Sequence, residues 1–245
     1  MTLLRHVLPI LAVVVLTTGG AARAADMDRL PVVVELFTSQ GCSSCPPSDA
    51  FLGDLTKRAD VIALAFHVDY WDYIGWADPF AKPAYTERQR SYARSLHQRY
   101  VYTPEMVVSG MAHDSGMDRS TVLGLIDQAR GQSGERIPVT LADAGASGIT
   151  ISVPAMAQPA KVDVWLVTFD PQHTTQVTRG ENRGRELTDY NVVRSLTLLR
   201  QWDGKAAQWT VPPDRLGDAL GVAVLVQHLD QGTMVGAAQL RRSAR

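Results

Sequence analysis

The sequence predicts an α/β layer architecture over its first half and a mainly β arrangement over its second. Strand and helix signals alternate from Pro31 to Arg130, in the order expected of layered α/β folds. Beyond Pro138 strand signals dominate. The only two cysteines, Cys42 and Cys45, stand in "GCSSCPP", where the first strand gives way to the first helix.

The elements follow in order. "PVVVELF" (Pro31–Phe37) is a short β-branched apolar run and reads as a buried strand. "TSQGC" is a turn. Pro46 and Pro47 suit a first helical turn, where a missing N–H costs nothing. Phe51, Leu52, Leu55 and Ala59 continue with helical spacing. "DVIALAFHV" (Asp60–Val68) is a second buried strand, and a polar amphipathic helix is expected from about Ala84 to Gln98. "TPEMVVSG" (Thr103–Gly110) is a short strand ending in a glycine turn. Asp118–Arg130 is a helix with Val122, Leu125, Ile126 and Ala129 on one face. "GQSGERIP" reads as a linker. The strand-rich remainder ends in a hairpin pattern around Asp230-Gln231-Gly232 and suggests a sandwich-like module. The expected boundaries are 1–24 for a leader, 30–131 for the α/β domain with an insertion at 69–100, and 136–242 for the β module.

The formal net charge is −1, with no basic excess to point to nucleic acid. The first residues carry Arg5, an apolar run from Val7 to Leu16, and Ala22-Arg23-Ala24. This is the order of a cleaved export signal, cut after Ala24. The run is shorter than the ~20 residues that a spanning helix needs. The expectation is a periplasmic or secreted protein with no membrane span once mature. Its oligomeric state is open.

An oxidising compartment favours disulfides. A pair this close constrains the unfolded chain little, so reactivity is the better reason for it. A helix N-terminus favours a thiolate through its free N–H groups and dipole. Cys42, expected to be exposed, would attack or be attacked by a substrate sulfur. Cys45, more buried, would resolve the mixed disulfide. No cofactor is needed. Two other readings stay open: a binding module in which the pair is a permanent disulfide, and a copper or zinc carrier. The carrier reading lacks a second ligand pair, although His67 and His113 are distant candidates, so no metal site is assigned.

"VVVELFTSQGCSSC", the β-α-β order and "TPEMVV" before a turn and helix together resemble the thioredoxin-like superfamily. That resemblance implies a cis bond before Pro104, facing the cysteines and, with Thr103, shaping a groove for a polypeptide substrate. It also implies a buried proton-transfer carboxylate near the second cysteine, for which Glu35 is the candidate; the alternative for Glu35 is a side chain that points to solvent or pairs with a lysine or arginine. "LFTSQGCSSCPPSD", "AFHVDYWDYIGWADPFAKPAYTERQRSYA", "YTPEMVVSG" and "RGENRGREL" with "NVVR" narrow the resemblance. They are similar to a family of uncharacterised secreted bacterial proteins with a thioredoxin-like N-terminal half. The family implies a fold and a compartment but no established substrate.

The segment after the second strand lies at the same sheet edge as the C-x-x-C turn. His67, Asp69, Trp71 and Trp76 are therefore candidates for binding a substrate, which would be a protein or small-molecule thiol or disulfide. The arginine-rich stretch Thr178–Arg194 reads either as a docking surface or anion site or, the preferred reading, as a solvated hairpin with weak surface ion pairs.

Overall fold

The structure is a computed structural model and describes residues 30–132, 134–229 and 232–242. The expected leader at 1–24 lies outside the described residues, as do two residues of the expected C-terminal turn. Among the described residues no helix is long and apolar enough to cross a membrane.

The first half runs β1 (Val32–Thr38), α1 (Pro46–Leu55), β2 (Val61–His67), α2 (Pro83–Ser95), β3 (Glu105–Val108), β4 (Ala112–Asp114) and α3 (Arg119–Arg130). The second half contributes β5 (Thr140–Asp143), β6 (Ile149–Val153), β7 (Val162–Gln176), β8 (Glu186–Trp202), β9 (Ala207–Val211), β10 (Gly221–His228) and β11 (Met234–Arg241). Asp118 caps α3, its carboxylate accepting from the Ser120 and Thr121 backbone N–H groups. The β3–β4 hairpin has no strong alternation and was not expected from the sequence.

The expected thioredoxin-like α/β domain followed by a separate β module is overturned. The two halves share one mixed eight-stranded sheet, in the order β11-β10-β7-β8-β2-β1-β3-β4. A second sheet, β5-β6-β9, packs beside it. The seam is β2 against β8: Ala65 pairs with Val192 in parallel, and Asn191 Nδ2 donates to the Ala63 carbonyl at 2.7 Å. The physical reason is the length of β7 and β8, which have 15 and 17 residues. An antiparallel ribbon that long reaches past its own module and satisfies the backbone edge of β2, which would otherwise be exposed.

Three apolar clusters hold the layers together. β1 contributes Val32, Val34 and Leu36 to the face covered by α1 and α3, through Phe51, Leu52, Leu55, Val122 and Ile126. It sends Val33 and Phe37 to the opposite face, under Tyr85 and Tyr92 of α2. The third cluster lies between the small sheet and β7, β10 and β11, with Ile151, Val153, Val164, Leu166 and Val224 at its centre. Burying each such side chain contributes roughly 1.5–3 kcal/mol.

Candidate functional site

β1 and β2 run parallel, with Thr38 beside His67, and β3 runs antiparallel, with Glu105 opposite Phe37. The C-terminal ends of β1 and β2 and the segment entering β3 therefore meet at one edge. Cys42 and Cys45 lie there as a disulfide, with Cα atoms 5.5 Å apart. Cys45 is the N-cap of α1, and Pro46 and Pro47 fill its first positions. The prolines remove two of the N–H groups that a helix start usually presents. Cys45 N–H donates to the Cys42 carbonyl at 3.3 Å instead.

Cys42 is 1% exposed and Cys45 0%, so the expectation of an exposed Cys42 is corrected. Only Ser43 and Ser44 of the turn reach solvent, and the Ser44 hydroxyl lies 3.4 Å from Cys42 Sγ.

The structure brings most of the expected residues to this edge. The Thr103–Pro104 bond is cis. Trp71 Nε1 donates to Thr103 Oγ1 at 2.7 Å, while a side chain at Gly41 would lie 3.2 Å from Trp71 Cβ. Trp71 thus joins the residue before Cys42 to the residue before Pro104. Trp76 Nε1 donates to Gln40 Oε1 at 3.2 Å. His67 lies deeper, its Nδ1 donating to Asp78 Oδ2 at 2.7 Å.

Two expected residues are elsewhere. Glu35 shares its strand face with Val33 and Phe37, away from α1. Arg88 Nε and Nη2 donate to its carboxylate at 2.6 and 3.0 Å, and the Tyr92 hydroxyl donates to it as well. It is a buried ion-pair partner across the sheet from the disulfide, not a carboxylate beside Cys45. Alternation along the strand is the cause. Asp69 Oδ1 accepts from the Thr86 hydroxyl at 2.5 Å and so anchors the start of α2.

Sequence reasoning missed the polar hub beneath the turn. Gln40 N–H donates to Asp78 Oδ2 at 2.7 Å, and Gln40 Nε2 donates to Asp189 Oδ2 at 2.7 Å and Thr175 Oγ1 at 3.0 Å. Asp49, one helical turn after Cys45, accepts from the Thr38 hydroxyl at 2.7 Å. Burial and then the nearby Asp189 carboxylate push the Asp49 carboxyl up to about 8. Burial pulls His67 down, but the Asp78 carboxylate, followed by Asp189 and Asp49, outweighs it and lifts the imidazole to about 9. The His67 Nε2 has no hydrogen-bond partner among the described residues. The spacing of Asp49 from Cys45 was legible. Asp78, Asp189 and Asn182 gave no local signal.

The arginine-rich stretch is not simply a solvated hairpin. Its tip, Val177–Arg185, joins β7 to β8 and lies on the disulfide turn. Asn182 is fully buried, and its Nδ2 donates to the Gln40 carbonyl at 2.9 Å and the Cys42 carbonyl at 3.0 Å. Ser43 N–H donates to Glu181 Oε2 at 3.3 Å. Arg179 and Arg183 remain exposed.

Fold and site define a class: mixed-sheet proteins with a buried C-x-x-C disulfide at a helix start, covered by an arm from the C-terminal half. The family described as "Protein of unknown function (DUF1223)" matches residues 33–227, and the chain belongs to it. The crystal structure of a structural-genomics target protein from Agrobacterium tumefaciens is similar, at TM-score 0.76 and 34% identity over 86% of this chain and 94% of that one. HBP35 of Porphyromonas gingivalis shares the fold at TM-score 0.61 and 16% identity, over 87% of this chain and 76% of that one. No curated protein matches the chain.

Proposed function

We propose that this chain is an exported thiol–disulfide oxidoreductase acting through Cys42 and Cys45. The observation that carries the reading is the disulfide itself. It closes a tight turn at the start of α1, with a sequence separation of 3. So small a ring restricts the unfolded chain by only about 2 kcal/mol on the chain-entropy relation, less than a long-range bridge would. The cis Thr103–Pro104 segment and Trp71 beside the turn support the reading.

In the exchange, a substrate thiolate attacks Cys42 Sγ. A sulfur–sulfur bond forms between substrate and Cys42, and the Cys42–Cys45 bond breaks. Its electron pair leaves on Cys45 Sγ, which takes up a proton. A second substrate thiolate then attacks the mixed disulfide and releases Cys42 as a thiolate, which is protonated in turn. Two thiols become one disulfide, while the protein gains two electrons and two protons. The reverse direction runs through the same intermediate.

The test is equilibration of purified protein, lacking residues 1–24, with glutathione redox buffers, together with trapping by a Cys45→Ser variant. A potential within the range of known exchange proteins, about −120 to −270 mV, and trapped mixed disulfides support the proposal. A pair that glutathione cannot reduce, with nothing trapped, refutes it. The burial of both sulfurs favours a second reading, a binding module with a permanent disulfide. That same refuting result is the one it expects.

A further inference from the structure

We infer that the Val177–Arg185 arm is an internal stand-in for the substrate, and that the substrate is a cysteine-bearing polypeptide rather than a small thiol. The inference rests on the oxidoreductase reading and names the partner of that same site.

The observation is the set of main-chain groups that the arm occupies. The carbonyls of Gln40 and Cys42 belong to residues two apart, and one side-chain nitrogen, Asn182 Nδ2, donates to both. Between them and the helix, Ser43 N–H points to Glu181 Oε2. These two acceptors and one donor lie on two consecutive tight turns, closed by Cys42 N–H to the Ser39 carbonyl and Cys45 N–H to the Cys42 carbonyl, and the arm meets all three. A polypeptide lying along residues 40–43 supplies the complementary N–H and C=O groups from its own backbone. Cysteine or dithiothreitol has no such row of groups. Lifting the arm breaks both Asn182 hydrogen bonds, which leaves the Gln40 carbonyl to water while the Cys42 carbonyl keeps the Cys45 N–H.

The arm is built to be displaced as a unit. Gly180 and Gly184 bracket Glu181-Asn182-Arg183, with φ of +73° and +80°, where a side chain is strained. At its base, Gln40 is held by Thr175 and Asp189, which belong to β7 and β8 and not to the tip. The tip can therefore lift while the hub under the turn stays assembled. Beneath it, Cys42 is 1% exposed. With so little of Cys42 meeting solvent while the arm is in place, the bond-forming step described above is expected to follow opening.

The test compares three proteins in their oxidised form: wild type, Asn182→Asp and Glu181→Ala. Each is mixed with dithiothreitol and, separately, with a reduced, unfolded cysteine-containing peptide, and the rate of Cys42–Cys45 reduction is followed. In wild type the peptide is expected to react at least tenfold faster than dithiothreitol at equal thiolate concentration. Asn182→Asp keeps the shape but replaces the donor with an acceptor, and raises the dithiothreitol rate about tenfold. Glu181→Ala, at an exposed position, raises it about threefold. Both gains shrink with the peptide, which opens the site itself. Hydrogen exchange gives an independent measure: amides of residues 178–185 should exchange faster than those of β1 and become protected when the peptide is bound. Equal rates for peptide and dithiothreitol in wild type, or variant rates unchanged in a folded protein, overturn the inference and leave the oxidoreductase reading standing. A disulfide that no variant allows either thiol to reduce overturns both.

Discussion

Replacing Asp78 with asparagine tests whether His67 is a buried cation. In the folded chain Asp78 Oδ2 accepts from His67 Nδ1 at 2.7 Å and from Gln40 N–H at 2.7 Å. His67 titrates near 9 when folded, against 6.5 when unfolded. Because the folded value is the higher one, the contribution is fully present below pH 6.5 and is lost as pH rises toward 9. At 1.36 kcal/mol for each pH unit between those values, the loss is up to about 3 kcal/mol. Asp49 acts with the same sign in a lower window. Its carboxyl is held neutral up to about 8 against an ordinary 3.8, so it too makes stability fall with rising pH. The assay is urea unfolding, followed by tryptophan fluorescence, at steps from pH 6 to pH 9 with the disulfide oxidised so that no thiol titrates. Wild-type stability should decline across the whole range. In Asp78→Asn the imidazolium loses its hydrogen-bonded counter-ion, burial draws its titration back down, and the decline above pH 6.5 flattens. At pH 6 the variant should also be about 3–5 kcal/mol less stable, the cost of leaving one partner of a buried pair. A wild-type stability that is flat or rises between pH 6.5 and 9, or a variant with an undiminished slope, refutes the assignment.

Three more outcomes follow from the packing. Glu35→Gln breaks the buried pair with Arg88 and should cost about 3–5 kcal/mol by urea unfolding, while the reduction potential of Cys42–Cys45 stays put because Glu35 faces the other side of the sheet. Gly53→Ala places a methyl 2.6 Å from the Tyr190 ring, and overpacking of about 1–3 kcal/mol should outweigh the roughly 1 kcal/mol gain in helix propensity, so the thermal midpoint falls. A chain ended after Gly131 strips β8 from β2 and removes Gln227, whose Oε1 accepts from Arg88 Nη2 at 3.2 Å. It should show no cooperative thermal transition by circular dichroism, and a sharp transition would mean that the first half is stable alone.

What was legible in the chain was what adjacent residues decide. The apolar run before "TSQGC", the prolines opening α1 and the alternation of strand and helix up to Arg130 each depend on local spacing, and each element formed within a few residues of expectation. The face of β1 that carries the disulfide helix was not legible. Every residue of "VVVELFT" is buried, so the strand has no polar side to set its orientation, and Glu35 carried no mark of which face it shares. The join between halves was unreadable for a related reason. β-pairing is decided by partners far apart in sequence, and no spacing in "NVVR" names Ala65 as the neighbour of Val192.

Yet one local pattern did bear on the join. "VIALAFH" is apolar at nearly every position, and a parallel strand buried on both faces belongs in the interior of a sheet. With β1 on one side, β2 needed a second partner, and the first half offers none: β3 and β4 lie beyond β1. The requirement for β8 was therefore present in the composition of β2, although its identity was not. The same join carries the candidate chemistry. Once β8 lies against β2, the β7–β8 ribbon brings Asp189 to Gln40 and its tip brings Asn182 to Cys42. The backbone demand of one buried strand thus places the C-terminal half against the disulfide turn.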